Sequence, residues 1–173
     1  NPGLVLAPAG ITARELIEKC GGMAEGHRFK AYLPGGASGG ILPASKPDIR
    51  LDFGGELAKY GCFVGSHAIV ILSDHDNIWD VAKNLMQFFK HESCGQCTPC
   101  RAGTDKAVSI MNATEYQPEL LSEIATVMRD ASICGLGQAA SNPLSCAMRF
   151  FPEECERSFS SVSTDIDLSG SNT

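Results

Sequence analysis

The apolar positions form short, strand-like runs in the first part of the chain and recur with helical spacing after it. Glycine and proline clusters separate three runs with strand character, at residues 29–33, 49–53 and 67–72. Val5 and Leu6 predict a further short strand near the start. A strand, one helix and then several strands predict a small α+β domain over residues 1–75.

The helix of this first region begins with a recognisable capping pattern. Thr12 and Glu15 have the spacing of a capping box, in which each side chain accepts from the backbone of the other. Leu16 and Ile17 give the helix an apolar side, and a glycine pair beginning at Gly21 ends it.

The second region is predicted to be helical over residues 76–158. Its first helix follows Asp76 or Asn77 and carries one apolar face, formed by Ile78, Val81, Ala82, Leu85, Met86 and Phe89. Three later helices are predicted to begin at prolines, which have no N–H to leave unpaired there: Pro99, Pro118 and Pro143. The last stretch, residues 159–173, is rich in Ser, Asp and Gly and predicts a disordered tail.

Charge and hydropathy exclude two classes of partner. The formal net charge of −6 argues against a nucleic-acid surface. No apolar run approaches the roughly 20 residues that a membrane span needs, so no membrane insertion is expected. The chain opens with Asn1 rather than Met and shows no secretory signal pattern, which suits a fragment of a longer protein.

Candidate chemistry is concentrated in the cysteines, of which the chain has eight. Cys94, Cys97 and Cys100 lie within seven residues, too crowded for bridges to distant partners. A Cys-x2-Cys-x2-Cys loop can bind three corners of a cubane cluster, which commonly uses four cysteines. The spacing therefore predicts a [4Fe–4S] cluster, a role in one-electron transfer and a reducing, cytoplasmic setting.

The fourth ligand must come from elsewhere in the chain. Cys134 is the best candidate, because Gly135 and Gly137 on either side of Leu136 let the backbone approach a bulky inorganic core. Cys146 is the one rival and ranks below it.

The surroundings of the loop suit an anionic cluster. Cys100 falls in the first turn of a helix beginning near Pro99, and helix N-termini offer free N–H groups and positive potential. Arg101 adds a cation beside the cluster. Both are expected to raise the reduction potential.

Two other readings of the metal remain open. A structural four-cysteine zinc module for assembly is one, although zinc modules usually pair their ligands as Cys-x2-Cys twice. In the other, the first region binds a ligand and the metal only stabilises the fold.

The remaining motifs predict ordinary structural roles. The glycine-rich residues 35–40 lack the Lys-Ser/Thr ending of a P-loop and the spacing of a dinucleotide fold, and predict a flexible turn. Residues 74–76, Asp-His-Asp, could bind a metal weakly but favour a turn and helix cap. His27, His67 and His91 have no partners at ligand spacing. Among the other cysteines, Cys20, Cys62 and Cys146 are expected to be buried or half-buried, and Cys155 exposed.

Two stretches carry a family resemblance. Residues 92–103, Glu-Ser-Cys-Gly-Gln-Cys-Thr-Pro-Cys-Arg-Ala-Gly, with Cys-Gly-Leu-Gly at 134–137, resemble the family of flavin-bearing NADH-oxidising (diaphorase) subunits. That family is shared by respiratory complex I, NAD-reducing hydrogenases and NAD-dependent molybdenum formate dehydrogenases. The resemblance implies a β-grasp domain of the soluble ligand-binding type (SLBB) in the first region and the family's helical [4Fe–4S] domain in the second.

Within the family, residues 32–43 and 134–143 resemble the formate dehydrogenase β subunit most closely. This implies the C-terminal part of that subunit, whose upstream FMN- and NADH-binding domain is absent here. The chain alone would then neither bind NAD nor turn over. Its cluster would relay electrons between other iron–sulfur centres and FMN, with Gly135, Leu136 and Gly137 facing the flavin.

The implied partners are the upstream domain, a small [2Fe–2S] subunit and a large molybdenum-containing catalytic subunit. The same role in an NAD-reducing hydrogenase or an NADH:quinone oxidoreductase is the alternative within the family.

Overall fold

The computed structural model describes residues 1–160, and the chain divides into two compact units, Asn1–Asn77 and Ile78–Thr173. The limits expected from the sequence, 1–75 and 76–158, differ from this division by two residues at the boundary. Their assignment as functional domains stays a prediction. Of the predicted disordered tail, residues 161–173 lie outside the described residues.

The first unit contains one α-helix, one 3-10 helix and a small antiparallel sheet. In chain order these are α1 (Ala13–Lys19), β1 (Phe29–Leu33), β2 (Leu42–Pro43), the 3-10 helix (Glu56–Tyr60) and β3 (Val70–Ser73). The strand order is β2-β1-β3, with β1 central and antiparallel to both neighbours. The mixed α/β character is as predicted, whereas the β-grasp type stays a prediction.

The predicted capping box of α1 is confirmed. The Thr12 hydroxyl accepts from the backbone N–H of Glu15 at 3.2 Å, and the Thr12 N–H donates to the Glu15 carboxylate at 2.9 Å. The helix ends at Cys20, followed by Gly21 at a φ of 91°, where a side chain would be strained.

Two predicted strands are wrong. Leu6 is fully exposed, and Val5 and Leu6 form no strand, because they lack a partner that would pair with the backbone there. Residues 49–53 form only an isolated bridge between Arg50 and Thr12. Backbone hydrogen bonds of Leu51 go to the turn before α1 instead of a sheet, so this segment is irregular.

The glycine-rich segment 35–40 forms the predicted turn between β1 and β2, but it is packed against the rest of the unit. Most of it is buried, and residues 63–68 lie directly against it. The Ser66 N–H donates to the Gly35 carbonyl, and the Gly36 N–H donates to the Ala68 carbonyl. A Cβ atom on Gly35 would lie 2.2 Å from the backbone nitrogen of Gly65, so only glycine permits this approach.

The second unit is helical. Its elements are α2 (Ile78–Glu92), α3 (Thr98–Met111), α4 (Pro118–Ala131), α5 (Gly135–Ala139), α6 (Asn142–Phe150) and α7 (Pro152–Ser160). The four predicted helices are present, with Pro118 at the first helical position and Pro99 and Pro143 at the second. The sequence interpretation predicted neither α5 nor α7, and it assigned the last residues of α7 to the tail.

The apolar face of α2 forms much of the helical core. Ile78, Ala82, Met86 and Phe89 are buried as their spacing predicts. Beside them the Trp79 ring packs against Tyr116 and Phe159, with centroids 5.8 and 5.3 Å away. None of the helices in residues 1–160 is both long and apolar enough to cross a membrane.

Close contact between α3 and α4 brings the two cysteine-bearing segments near each other. A Cβ atom on Gly103 would lie 2.5 Å from Cγ of Met128, so the two helices meet where α3 has no side chain. Met128 is fully buried at this contact. The start of α3 and the end of α4 therefore lie in one region of the unit.

Candidate metal centre

The three clustered cysteines occupy the turn between α2 and α3. Cys94 follows the end of α2 and is exposed, Cys97 is the N-cap of α3 and half-buried, and Cys100 lies in the first turn of α3 and is buried. Gly95 has a φ of 78°, the left-handed conformation that reverses the chain between the first two cysteines. The local fold thus presents three thiols along one tight turn.

Cys134 lies at a second helix start. It is the N-cap of α5 and exposed, three residues after α4 ends at Ala131. Gly135, Leu136 and Gly137 form the first turn of this helix.

The two segments approach each other at Gly137 and Cys100. A Cβ atom on Gly137 would lie 2.9 Å from Cβ of Cys100 and 2.5 Å from the Ser132 hydroxyl oxygen. Gly137 thus allows α5 to approach Cys100 closely, whereas the approach of this backbone to a cluster stays a prediction. Gly135 has no other group within 4 Å of such an atom, so its lack of a side chain does not serve packing.

Backbone amides lower the pKa of Cys97. The N–H of Ile133 is the main cause, followed by the N–H of Cys100, and both hydrogen bonds favour the thiolate over the thiol. Because Ile133 precedes Cys134, the segment of the fourth cysteine contributes to this environment. The Ser132 hydroxyl also lowers the pKa, although it is buried and forms no hydrogen bond of ordinary geometry to a described residue.

Two helix N-termini face this region. The N-cap residues are Cys97 and Cys134, so no side-chain oxygen caps either helix, and in α3 the Cys100 N–H interacts with the Cys97 sulfur instead. The first-turn amides of the 14-residue helix α3 therefore lack the usual oxygen cap, and such amides favour anionic groups.

Ser93 hydrogen-bonds directly to a cysteine sulfur. Its hydroxyl lies 3.3 Å from Sγ of Cys100 and 3.4 Å from the N–H of Gly95, which can only donate. The hydroxyl can therefore accept from Gly95 and donate to the sulfur. Sequence reasoning missed this serine, although its place beside Cys94 could have suggested it.

Arg101 lies at the edge of the same turn. Its guanidinium donates to the Gly95 carbonyl at 2.5 Å, and the side chain is exposed. On the other segment, Gln138 donates to the Ser132 carbonyl at 3.1 Å and closes the turn before α5. Both side chains hold the cysteine-bearing backbone in place.

The spacing of the sulfurs differs from that of a single-ion site. Among the described residues, no three of the four cysteines have sulfur atoms that all lie within 4.8 Å of one another. A tetrahedral zinc site with Zn–S bonds of ~2.3 Å requires sulfurs roughly 3.8 Å apart. The irons of a cubane cluster hold their thiolates further apart than one ion does.

The other cysteines have structural positions, and for one of them the expected exposure was wrong. Cys62 and Cys146 are buried and Cys20 is half-buried, as expected. Cys155, expected to be exposed, is completely buried, because α7 continues through the predicted start of the tail. Burial raises the pKa of its thiol to about 12.

The residues present fit a cubane cluster. Four free thiols lie on two adjoining turns. The buried Ser132 hydroxyl beside them lacks a hydrogen-bond partner among the described residues, and the backbone at Gly137 is too close to its neighbours for a Cβ atom. Residues 80–158 match a known family, the NADH-ubiquinone oxidoreductase-F iron-sulfur binding region. The cofactor that this match indicates is a [4Fe–4S] cluster.

Curated relatives cover most of the chain. It is 38% identical over 165 residues to one subunit of the NADH-quinone oxidoreductase of Escherichia coli, covering 90% of this chain and 37% of that protein. It is 35% identical over 163 residues to the HndC subunit of the NADP-reducing hydrogenase of Solidesulfovibrio fructosivorans, covering 90% and 33%. The chain thus spans about a third of the length of these relatives.

One solved structure shows the same fold. The crystal structure of an NAD+-reducing [NiFe]-hydrogenase in the H2-reduced state aligns with a TM-score of 0.77. The alignment covers 96% of this chain and 31% of the other, at 23% sequence identity.

Proposed function

We propose that this chain holds one [4Fe–4S] cluster on Cys94, Cys97, Cys100 and Cys134 and passes electrons one at a time. The observation that carries the proposal is the approach of two helix starts across Gly137, each with a cysteine as its N-cap residue. Backbone N–H groups lower the pKa of Cys97 and so favour its thiolate, the form that binds iron.

The chain's own residues would set how readily the cluster is reduced. Hydrogen bonds to cluster sulfurs and nearby positive charge stabilise the more negative, reduced state. Ser93 supplies such a bond to Cys100, and Arg101 supplies the charge. Because Cys94 and Cys134 are exposed, that side would be the shorter path to an electron partner.

Within a larger enzyme, the chain would form part of a flavin-bearing, NAD-linked oxidoreductase subunit. The two relatives named above are subunits of an NADH-quinone oxidoreductase and an NADP-reducing hydrogenase, and the match over residues 80–158 supports this class. FMN and NAD would bind in the part of such a subunit that this chain does not span. The cluster would then pass single electrons between the flavin and other iron–sulfur centres.

The formate dehydrogenase β subunit is the branch we prefer, on the resemblance of residues 32–43 and 134–143. A small [2Fe–2S] subunit, a large molybdenum subunit and a cytoplasmic location follow from that preference. The first unit would be a β-grasp domain of the SLBB type, and Gly135, Leu136 and Gly137 would face the flavin. NAD-reducing hydrogenase and NADH:quinone oxidoreductase are the alternatives.

Anaerobic reconstitution tests the cluster. We expect about four irons and four sulfides per chain and a fast-relaxing EPR signal that appears on reduction with dithionite. Cys134→Ala should abolish the four-iron form, while the matched Cys146→Ala should retain it. Bound zinc with a silent spectrum, in protein purified without oxygen, would contradict electron transfer and favour the structural zinc module.

A second experiment distinguishes the branches. The native complex, purified through a tag on this chain, would be mixed separately with formate, hydrogen and NADH. Formate-dependent reduction of the cluster would support the preferred branch, and reduction by hydrogen would replace it with a hydrogenase. Reduction by NADH alone would favour the quinone-linked enzyme.

A further inference from the structure

A second group of ligand-type side chains lies in the first unit, apart from the cysteines in sequence. Ligand atoms of His27, Asp74 and His75 all lie within 4.8 Å of one another. Among residues 1–160, no other set of three or more His, Cys, Asp or Glu side chains is as close. The sequence interpretation considered Asp74 and His75 as weak metal ligands but missed His27, which stands 47 positions before Asp74.

The register of the sheet explains why these three side chains lie close together. Phe29 on β1 pairs with Ser73 on β3, and the same antiparallel register continued outward sets Arg28 opposite Asp74 and His27 opposite His75. Reciprocal bonds hold this end: the Arg28 N–H donates to the Asp74 carboxylate at 2.8 Å, and the Asp74 N–H donates to the Arg28 carbonyl at 2.9 Å. The two imidazole rings lie 4.2 Å apart between centroids.

A hydrogen-bond chain prepares His27 as a ligand. The Ser73 hydroxyl donates to the Asp76 carboxylate at 3.0 Å, so it accepts at its other two contacts, from the backbone N–H of His75 at 3.3 Å and from Nδ1 of His27 at 3.1 Å. Nδ1 is then the protonated nitrogen, and Nε2 keeps the lone pair that binds a metal. Imidazole ligands of metals usually donate their second N–H in this way.

Asp74 supplies a charged oxygen. Hydrogen bonds from the Arg28 backbone and side chain lower the pKa of Asp74 to about 2, so the carboxylate is ionised at neutral pH. The Arg28 side chain is 87% exposed, and solvent screens its hold on the carboxylate. Asp76, which accepts from the Ser73 backbone, performs the turn-capping role that the sequence suggested for residues 74–76.

We propose that His27, Asp74 and His75 bind a divalent transition-metal ion of the zinc type. Two imidazoles and one carboxylate are a common three-ligand set for such an ion and leave a fourth position for water. Bonds of ~2.0–2.2 Å need ligand atoms somewhat closer than 4.8 Å, and the exposed His75 side chain is free to close that gap by rotation. The ion would join the ends of β1 and β3.

Cobalt binding to the cluster-loaded chain tests this site, because the cluster occupies the competing thiols. One equivalent of Co²⁺ should give weak visible bands without a sulfur-to-cobalt charge-transfer band, and Zn²⁺ should displace it. His27→Ala and His75→Ala should each weaken binding at least tenfold. Ser73→Ala should weaken it by roughly 10- to 100-fold while keeping all three ligands.

The chain offers matched controls in its two remaining histidines. His67→Ala and His91→Ala should leave the affinity unchanged, and far-UV circular dichroism would verify that each variant folds. Equal affinity in all four histidine variants, a charge-transfer band, or no bound cobalt would each overturn the proposal.

Discussion

The two units are packed by different means. In the first, backbone lies directly on backbone where Gly35 meets Gly65, and only small side chains such as Ser66 lie beside this contact. In the second, buried side chains such as Trp79, Met86 and Leu144 separate the helices. A glycine-to-alanine substitution at such a contact should therefore destabilise the first unit most. The second unit has a core of side chains and one close glycine contact at its cysteines.

The difference also shows in how each candidate site is assembled. Strand register brings His27 to His75, and a shift by one residue would turn one of them to the other face. Helix starts bring Cys97 and Cys134 together, and each depends on where a helix begins. Substitutions at the close contacts test these two arrangements separately.

Gly35→Ala should have the largest effect. Its Cβ atom would lie 2.2 Å from the Gly65 nitrogen and 2.4 Å from the Phe63 carbonyl oxygen, and backbone cannot move aside cheaply. We expect at least ~3 kcal/mol of destabilisation in the first unit. Hydrogen exchange of β1 peptides would measure it, with Gly54→Ala as the control, since nothing lies within 4 Å there. Unchanged β1 protection would contradict the backbone-packing account.

Gly137→Ala should disturb the cysteine region next most. The added atom would lie 2.6 Å from Cβ of Ser132 and 2.9 Å from Cβ of Cys100. We expect a cost of ~1–3 kcal/mol and less iron per chain after reconstitution. Gly135→Ala, in the same helical turn but in open space, should retain the iron content. Equal iron in both variants would show that this approach does not matter.

Ser93→Ala should lower the midpoint potential of the cluster. Loss of a hydrogen bond worth ~0.5–1.5 kcal/mol corresponds to roughly 20–60 mV for one electron. An EPR-monitored redox titration would measure the shift. Ser109→Ala, at an exposed position in the same unit, should leave the potential unchanged. A potential that rose in Ser93→Ala would reverse the assigned direction of the bond.

Arg101→Ala should lower the potential by a smaller amount. The guanidinium is exposed, so solvent and salt screen its attraction to the cluster. The shift should shrink as ionic strength rises, and Arg101→Lys should restore part of it. An unchanged potential at low salt would rule out the electrostatic role, and Arg129→Ala provides the control cation.

The smallest effect should be the acid response of Asp74. The pKa of Asp74 in the folded protein, about 2, lies below the ordinary value of ~3.9. The ionised carboxylate therefore gives its full stabilisation to the folded unit at any pH above that ordinary value. The contribution is lost as the pH falls through the folded pKa. Asp74→Asn should therefore flatten the loss of first-unit stability between about pH 4 and pH 2 in chelator-treated protein. Asp52→Asn is the control, and an unchanged slope in Asp74→Asn would contradict the prediction.

Local signals in the sequence predicted local structure well. The capping box at Thr12, the strand at residues 29–33 and the helices α2, α3, α4 and α6 follow from residues that are close in the chain. The clustered cysteines likewise suggested the cluster that the family match indicates.

Features that depend on contacts between residues far apart in the chain were not predicted from the sequence. The burial of residues 35–40 depends on residues about 28 positions later, and glycines that permit close packing have the same composition as a flexible turn. The helix α5 begins at a glycine, which propensity disfavours, yet the neighbouring helices hold it. Likewise, Cys155 is buried only because α7 continues past the predicted boundary.

The cysteines outside the cluster motif provide native probes of local opening. Cys62 is buried in the first unit, whereas Cys146 and Cys155 are buried in the second. An alkylating reagent reaches a buried sulfur only when the surrounding structure opens, so its rate at each thiol reports the free energy of that opening. Mass spectrometry of the alkylated cysteines could thus measure the local opening of each unit in the wild-type protein, without an engineered probe residue.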